Sequence, residues 1–217
     1  MDLKNNRILR TLYYYWKNYE TKHNYDHGKG NRIKNRGIRI ASRIQIRGNN
    51  NVVIIDKGAA LLNCTIRITG NNCVIFLKNN CYVTEVEIFV ENNNCMVEIG
   101  NKTFIGRQTH IACTEDNSQI IIGGGGMISS YCQIRSGDSH SILDLDGNRI
   151  NPAASVRIGQ HCWLGEGCKV LKGVTLGDNC IVSTGAIVTK SYGSNVLIGG
   201  VPAKIVKENI NWNEIRL

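Results

Sequence analysis

The sequence predicts an all-β chain wound as a parallel β-helix, on three observations: a six-residue aliphatic period, a size limit at one fixed point of that period, and a longer asparagine-marked repeat upstream. Ile158, Leu164, Val170, Leu176, Val182 and Val188 stand six residues apart. An amphipathic helix wants a period of about 3.6 and a two-sided sheet is satisfied by about two, so a period of six suits neither. In a triangular coil of three short flat strands, the first residue of each hexad points into the prism and stacks on its counterpart one coil later. The fifth position reads Cys162, Cys168, Val174, Cys180 and Ala186, and the second offers Gly159, Gly165, Gly177 and Ser183. Both positions lie near corners, where only small side chains fit.

The register extends upstream through Ile122, Ile128 and Ile134, and through Ile99, Ile105 and Ile111 in a phase shifted by one. Before that the repeat lengthens to 22 residues: Gly48-Asn49-Asn50-Asn51-Val52-Val53-Ile54-Ile55 aligns with Gly70-Asn71-Asn72-Cys73-Val74-Ile75-Phe76-Leu77, and Asn92 to Ile99 follows. Asparagine and glycine accept the left-handed backbone conformation cheaply, which suits them to coil corners. The 217 residues therefore read as one solenoid domain over 48–217, with a C-terminal tail, behind a segment 1–47 of different character. The two prolines, Pro152 and Pro202, fall where the hexad count breaks and mark loops leaving the prism.

Segment 1–47 carries twelve Lys and Arg against three acids, whereas 48–217 carries fourteen of each, so the whole net charge of +9 sits there. Its start, Leu3 to Trp16, reads as a short amphipathic helix with Ile8, Leu12 and Tyr15 on one side. Such a helix either covers the open first coil, as solenoid ends require, or contacts an anionic membrane surface peripherally; the cap is the preferred reading. No motif for nucleic acid accompanies the basic residues, and none is expected as a partner. Neither a signal peptide nor an apolar run of about 18 residues is present, which points to a cytoplasmic protein with optional membrane association. The nine cysteines include no CxxC pair. Four of them occupy the small fifth position, so they read as compact buried hydrophobes and no metal is expected.

Function is sought where the period breaks. The largest break follows Ile134 and runs through Arg135-Ser136-Gly137-Asp138-Ser139-His140-Ser141 to Ser155, with His140 at the root of a protruding loop. A neutral imidazole takes a proton from a sugar hydroxyl at ordinary pH, which marks His140 as a general base. Trp163, at the sixth position of its hexad, faces outward; it either packs a loop or walls a site, with an apolar ring and one N–H donor. Gly165 follows it, and glycine admits close approach to the backbone.

The segments Ile134 to Ser141, Arg149-Ile150-Asn151-Pro152, Ile158 to Gly165, Val170-Leu-Lys-Gly-Val, Thr184 to Lys190 and Gly199-Gly-Val-Pro-Ala-Lys204 resemble the hexapeptide-repeat acetyltransferases, above all bacterial capsule, polysialic acid and O-antigen O-acetyltransferases. The resemblance covers residues 99 to 210. It implies a left-handed coil, against the usual right-handed crossover, a homotrimer, and acetyl-CoA as acetyl donor in the groove between prisms. It also implies an acceptor sugar of a surface polysaccharide or its precursor. Carried over, His140 is the base and Trp163 belongs to the acceptor or thioester site. Gly165, Gly185 and Ala186 follow the pantetheine arm, Lys190 and Lys204 meet the cofactor phosphates, and Pro202-Ala203 closes over the cofactor. Gly200-Val201-Pro202 replaces the more frequent Gly-Asn-Pro, and Asp138 or a backbone carbonyl orients His140. An N-acetyltransferase acting on a nucleotide amino sugar stays open. Outside that class stand a zinc β-helix enzyme of the carbonic anhydrase kind, which needs three converging histidines where only His110, His140 and His161 lie in the prism, and a non-catalytic solenoid.

Overall fold

The computed structural model describes Tyr13, Trp16 and residues 23–215. It is a parallel β-solenoid whose coils each lay one strand on each of three faces. The first face stacks His23–His27, Arg43–Arg47, Thr65–Thr69, Glu87–Glu91, His110–Cys113, Gln133–Arg135, Lys169–Val170 and Ile187–Val188. The second stacks Arg32–Asn35, Val52–Ile55, Val74–Leu77, Met96–Ile99, Gln119–Ile122, Val156–Ile158 and Thr175–Leu176. The third runs from Ile38–Ile40 to Ile181–Val182 and is closed by Val196–Gly200, on which Ala203–Glu208 folds back antiparallel.

Register explains the repeat lengths. Partner residues on the first face are His23↔Arg43, then Arg43↔Thr65↔Glu87, then Glu87↔His110↔Gln133, and finally Lys169↔Ile187. The coil thus grows from 20 to 23 residues and shrinks to 18. The inward column Ile44, Ile66, Ile88, Ile111, Ile134, Val170 and Val188 is fully buried. Burying one such side chain is worth roughly 1.5–3 kcal/mol. The phase shift between Ile111 and Ile122 arises because the step from the first face to the second takes 11 residues, as Ile88 to Ile99 does one coil earlier; the twenty-third residue enters at the third–first corner, where Ile105 to Ile111 takes six residues and Val83 to Ile88 five.

One correction concerns the N-terminal boundary. The solenoid starts at His23 and not at residue 48, because residues 23–47 already form a complete coil and the first strand of the next, in register with Thr65–Thr69. Ile33 points inward over Val53, but the first coil's other inward positions are polar: Asn24 stands over Ile44, Asn35 over Ile55 and the buried Arg39 over Leu61, with Ile38 and Ile40 outward on either side of it. These polar residues and the 20-residue spacing hide the period. Tyr13 and Trp16 have helical backbone and exposed side chains; the rest of the expected helix lies outside the described residues.

At the first–second corner an asparagine ladder runs down the prism. The backbone N–H groups of Lys29, Asn49, Asn71 and Asn93 donate to the side-chain oxygens of Asn49, Asn71, Asn93 and Asp116 at 2.7–3.1 Å. Beside it, the buried Asn51 accepts from the Cys73 N–H (2.9 Å) and donates to the Gly70 carbonyl (2.9 Å). All nine cysteines are buried and unpaired. Most of the thiols face carbonyls of the next coil, as Cys73 does Asn92 (3.1 Å) and Cys162 does Gly177 (3.2 Å), while Cys168 lies on the Cys132 sulfur (3.6 Å). Burial pushes the Cys64 and Cys81 thiols up to about 11 and about 12, which keeps them protonated.

Candidate active site

The chain leaves the stack after Gln133–Arg135 and re-enters at Val156–Ile158, so the long loop stands on the first–second corner. Its base is fixed by charge pairs. Arg149 holds Glu115 bidentately, 2.8 Å to Oε2 and 2.5 Å to Oε1, and the Ala153 N–H adds a third donor to that carboxylate. Lys172 Nζ donates to Asp138 Oδ2 (2.5 Å) and to the carbonyls of Asn151 and Pro152 (3.0 and 3.1 Å). Asn151, nearly buried, donates to Asp138 (3.0 Å) and to the His140 carbonyl (2.8 Å) and accepts from the Ile142 N–H (2.7 Å). The Lys172 ammonium keeps the Asp138 carboxyl below the usual carboxylate range, and the Arg149 guanidinium does the same for Glu115. Both acids are therefore ionised and engaged in holding the loop.

His140 sits on this platform, exposed, beside a cleft of about 130 Å³ lined by Glu91, Asn92, Thr114, Glu115, Ser139, His140, Ser141 and Arg149. Neither ring nitrogen of His140 has a hydrogen-bond partner among the described residues. Asp138 does not orient the imidazole, since Lys172 and Asn151 take its oxygen. What is anchored is the backbone of His140, through Asn151. Beyond it the loop tip turns at Asp144, which accepts from the N–H groups of Asp146 and Asn148, and exposes Ile142, Leu143, Leu145 and Ile150.

The other expected residues gather elsewhere. Gly165, Gly185 and Ala186, and the turn at Pro202–Ala203, all lie where the third face passes into the first, in successive coils. Gly185 has φ 70° with no atom within 4 Å of the position a Cβ would take, as has its neighbour one coil earlier, Gly167. That edge is open backbone. At Gly165 the reason for glycine differs from the one expected: a Cβ would stand 2.5 Å from the Thr184 nitrogen and 2.8 Å from the Val182 oxygen, so the absent side chain serves coil stacking. Ala203 is buried, its carbonyl accepting from the Tyr192 hydroxyl. Lys204 is exposed beside this edge, opposite Gly199. Lys190 is exposed at the far end of the first face, its Nζ 5.7 Å from the centroid of the Tyr192 ring.

Trp163 projects from the third face in an outward row whose successive partners are Tyr82, Phe104, Met127, Trp163 and Ile181. Tyr82 and Phe104 stack, 5.9 Å between centroids. Against Trp163 lies Trp212, 6.0 Å away and tilted 45°; it stacks on His161 at 4.4 Å and donates its indole N–H to the His161 carbonyl (2.7 Å). Sequence reasoning missed Trp212, which stands outside every repeat. It also missed Lys172, whose link to Asp138 spans 34 residues. The three prism histidines lie apart: His110 beside Glu87 (3.7 Å), His161 on Asn179 (3.0 Å), His140 in the loop. Among the described residues no group of three or more His, Cys, Asp or Glu is placed to hold a metal.

Comparison with known proteins agrees with this architecture. Residues 155–190 match the family described as hexapeptide repeat of succinyl-transferase. The structure superposes on that of the polySia-specific acetyltransferase NeuO with a TM-score of 0.83 at 30% identity, covering 90% of each chain. With the polysialic acid O-acetyltransferase OatWY the TM-score is 0.84 at 32% identity, covering 89% of this chain and 92% of that one. A curated polysialic acid O-acetyltransferase of Escherichia coli O1:K1 / APEC is 34% identical over 116 residues, 51% of this chain and 38% of that protein. The chain belongs to the hexapeptide-repeat acetyltransferase family. Its match thus spans under half the length of that curated relative.

Proposed function

We propose that the protein transfers acetyl from acetyl-CoA to a hydroxyl of a sugar in a bacterial surface polysaccharide or its precursor, at sites formed between copies in a homotrimer. One observation carries this reading: within a single chain, His140 stands on the first–second corner while the open backbone of Gly167 and Gly185 lines the third–first corner. A base on one edge meets a cofactor on another only if a neighbouring copy supplies one of them. The outward row with Tyr82, Phe104 and Trp163 gives such a neighbour an apolar face to cover. Relatives named for O-acetylation of polysialic acid, and a putative lipopolysaccharide O-acetyl transferase of Escherichia coli K12 that is 43% identical over 56 residues, support the class of acceptor.

In this mechanism a His140 ring nitrogen takes the proton of the acceptor hydroxyl as its oxygen attacks the thioester carbonyl. The tetrahedral oxyanion is met by a backbone N–H or the Trp163 indole N–H. Collapse forms the ester, breaks the carbon–sulfur bond, and returns the proton to the coenzyme A thiolate. No acyl-enzyme is required, since the cysteines are buried in the stack. The test is subunit complementation. Gly185→Trp fills the cofactor edge and His140→Ala removes the base, so each alone is inactive; mixed and reassembled, they regain acetyl transfer to oligosaccharide because some sites draw both intact halves from different copies. Failure of mixing to restore activity, with both variants trimeric by light scattering, would place base and cofactor in one chain and sink the shared-site reading.

A further inference from the structure

The positive charge of the N-terminal coils is the feature that acetyl transfer leaves unexplained. On the first face, outward positions form three columns: Arg43, Thr65 and Glu87 nearest the third–first corner, Tyr25, Gln45, Arg67 and Phe89 in the middle, and His27, Arg47, Thr69 and Glu91 nearest the first–second corner. Tyr25, His27, Gln45, Arg47, Arg67 and Thr69 line a groove of about 410 Å³. Arg43 and Arg47 are exposed and have no ion-pair partner among the described residues; Arg67 is braced by Gln45 (3.3 Å) and Glu87 (3.4 Å). Guanidinium groups set in a row with amide, hydroxyl and phenol neighbours suit carboxylates spaced along a polar chain.

We propose that this groove binds an anionic stretch of the acceptor polysaccharide at a distance from the reacting sugar. The geometry connects the two places. The corner column continues from Arg47 through Thr69 to Glu91, and Glu91 and Thr114 line the cleft beside His140. Coils are spaced about 4.8 Å apart, so Arg47 lies roughly 10 Å from Glu91 along the axis and roughly 14 Å from Thr114. A polymer several sugars long spans that lane, whereas a short oligosaccharide at His140 does not reach the arginines. Glu91 sits between them, so the anionic contacts belong to the first coils and the reacting end is received by polar groups.

Other occupants fit less well. Residues 1–22 carry five Lys and Arg against two acids, so like charge disfavours the chain's own N-terminal segment. A second copy would bring arginine against arginine. A membrane surface asks for apolar side chains that penetrate it, and the outward positions here are polar and concave.

The inference rests on the acetyl-transfer reading for its activity arm and stands apart from it in its binding arm. In the binding arm, wild type and Arg47→Gln/Arg67→Gln, both groove-lining arginines, are compared on immobilised long-chain polysialic acid without acetyl-CoA, with dextran as the neutral polymer. Wild type binds the polyanion and not dextran, more weakly as salt rises, and the double variant loses roughly tenfold or more in affinity. In the activity arm, KM for the long polymer rises by a similar factor in the variant, while kcat, KM for acetyl-CoA and turnover of a sialic acid dimer hold. Charge-dependent polymer binding without acetylation of any acceptor would remove the acetyl-transfer reading and keep the groove. Equal polymer binding by both proteins overturns the groove, as does binding of phosphatidylglycerol vesicles in preference to the polymer.

Discussion

The N-terminal and C-terminal coils solve the same packing problem with different means. In the first, strands of four or five residues alternate with three-residue ones, and corner asparagines and glycines are locked to the coil beneath: a Cβ on Gly48 or Gly70 would meet a carbonyl at 2.0 or 1.8 Å. In the second, strands shorten to two residues and the third–first corner carries Gly167 and Gly185 with nothing against them. Closed corners consume their own hydrogen bonds and leave no backbone for a ligand. At the open corner the Gly167 and Gly185 N–H groups still donate to the Ser130 and Glu166 carbonyls (3.0 and 2.8 Å), and what the missing side chains keep clear is space beside the backbone. The difference teaches where stability and chemistry reside: the ladder belongs to the upper coils and the open edge to the lower ones.

Four experiments press on that division. The largest effect is expected for His140→Ala, which should lower kcat on a true acceptor by roughly 10² or more, as loss of an aligned general base does, with the melting temperature unchanged because the ring makes no hydrogen bond among the described residues. Wild-type turnover in this variant would show that the loop root only builds structure. Asn51→Ala tests the opposite half. It strands the buried Cys73 N–H and Gly70 carbonyl, each unsatisfied group costing about 1–3 kcal/mol, so thermal or urea unfolding should report a loss of that order while kcat holds. Lys190→Ala and Lys204→Ala come next: each should raise KM for acetyl-CoA about fivefold at constant kcat, the mark of contacts made equally in ground and transition states. Since Lys190 and Lys204 stand at opposite ends of the first face, an effect from one alone would locate the phosphates. The smallest effect concerns acid. Asp138 and Glu115 have carboxyls held below their ordinary values of 3.8 and 4.5. Their ionic tethers are thus intact above those values and fail as pH falls beneath them. Tryptic cleavage in the loop at Arg149, read after return to neutral pH against an acid-tolerant protease at low pH, should accelerate only below about pH 4.

The division was only half legible in the sequence. Hexads from Ile158 to Val188 declare themselves because each inward residue stacks on an identical environment, so the same side-chain type recurs at the same interval. The first coil is silent: it is spaced from the next by 20 residues on two of its faces, and Asn24, Asn35 and Arg39 stand at inward positions that the next coil gives to Ile44, Ile55 and Leu61. His140 and Trp163 were visible as departures from the period. What tethers the loop was not, because Arg149–Glu115 and Lys172–Asp138 are each 34 residues apart in the chain and adjacent only through stacking. Trp212 lies in a tail with no period to break. Gly165 was read as a place where a ligand approaches the backbone, and what its missing side chain visibly serves is coil contact.

The loop between Arg135 and Val156 has one more property. Ile134 pairs with Val170 and Ile120 with Val156 as in an uninterrupted stack, so the prism does not register the excursion at all. Residues 143–148, beyond the anchors at Asn151 and Arg149, bond only within the loop and form a tip that the coils on either side do not touch. Because the tip can change without moving His140 or its anchors, exchanging residues 143–148 for those of a relative should leave folding and the proposed base untouched, and any change in acceptor preference that follows would assign acceptor contact to the tip.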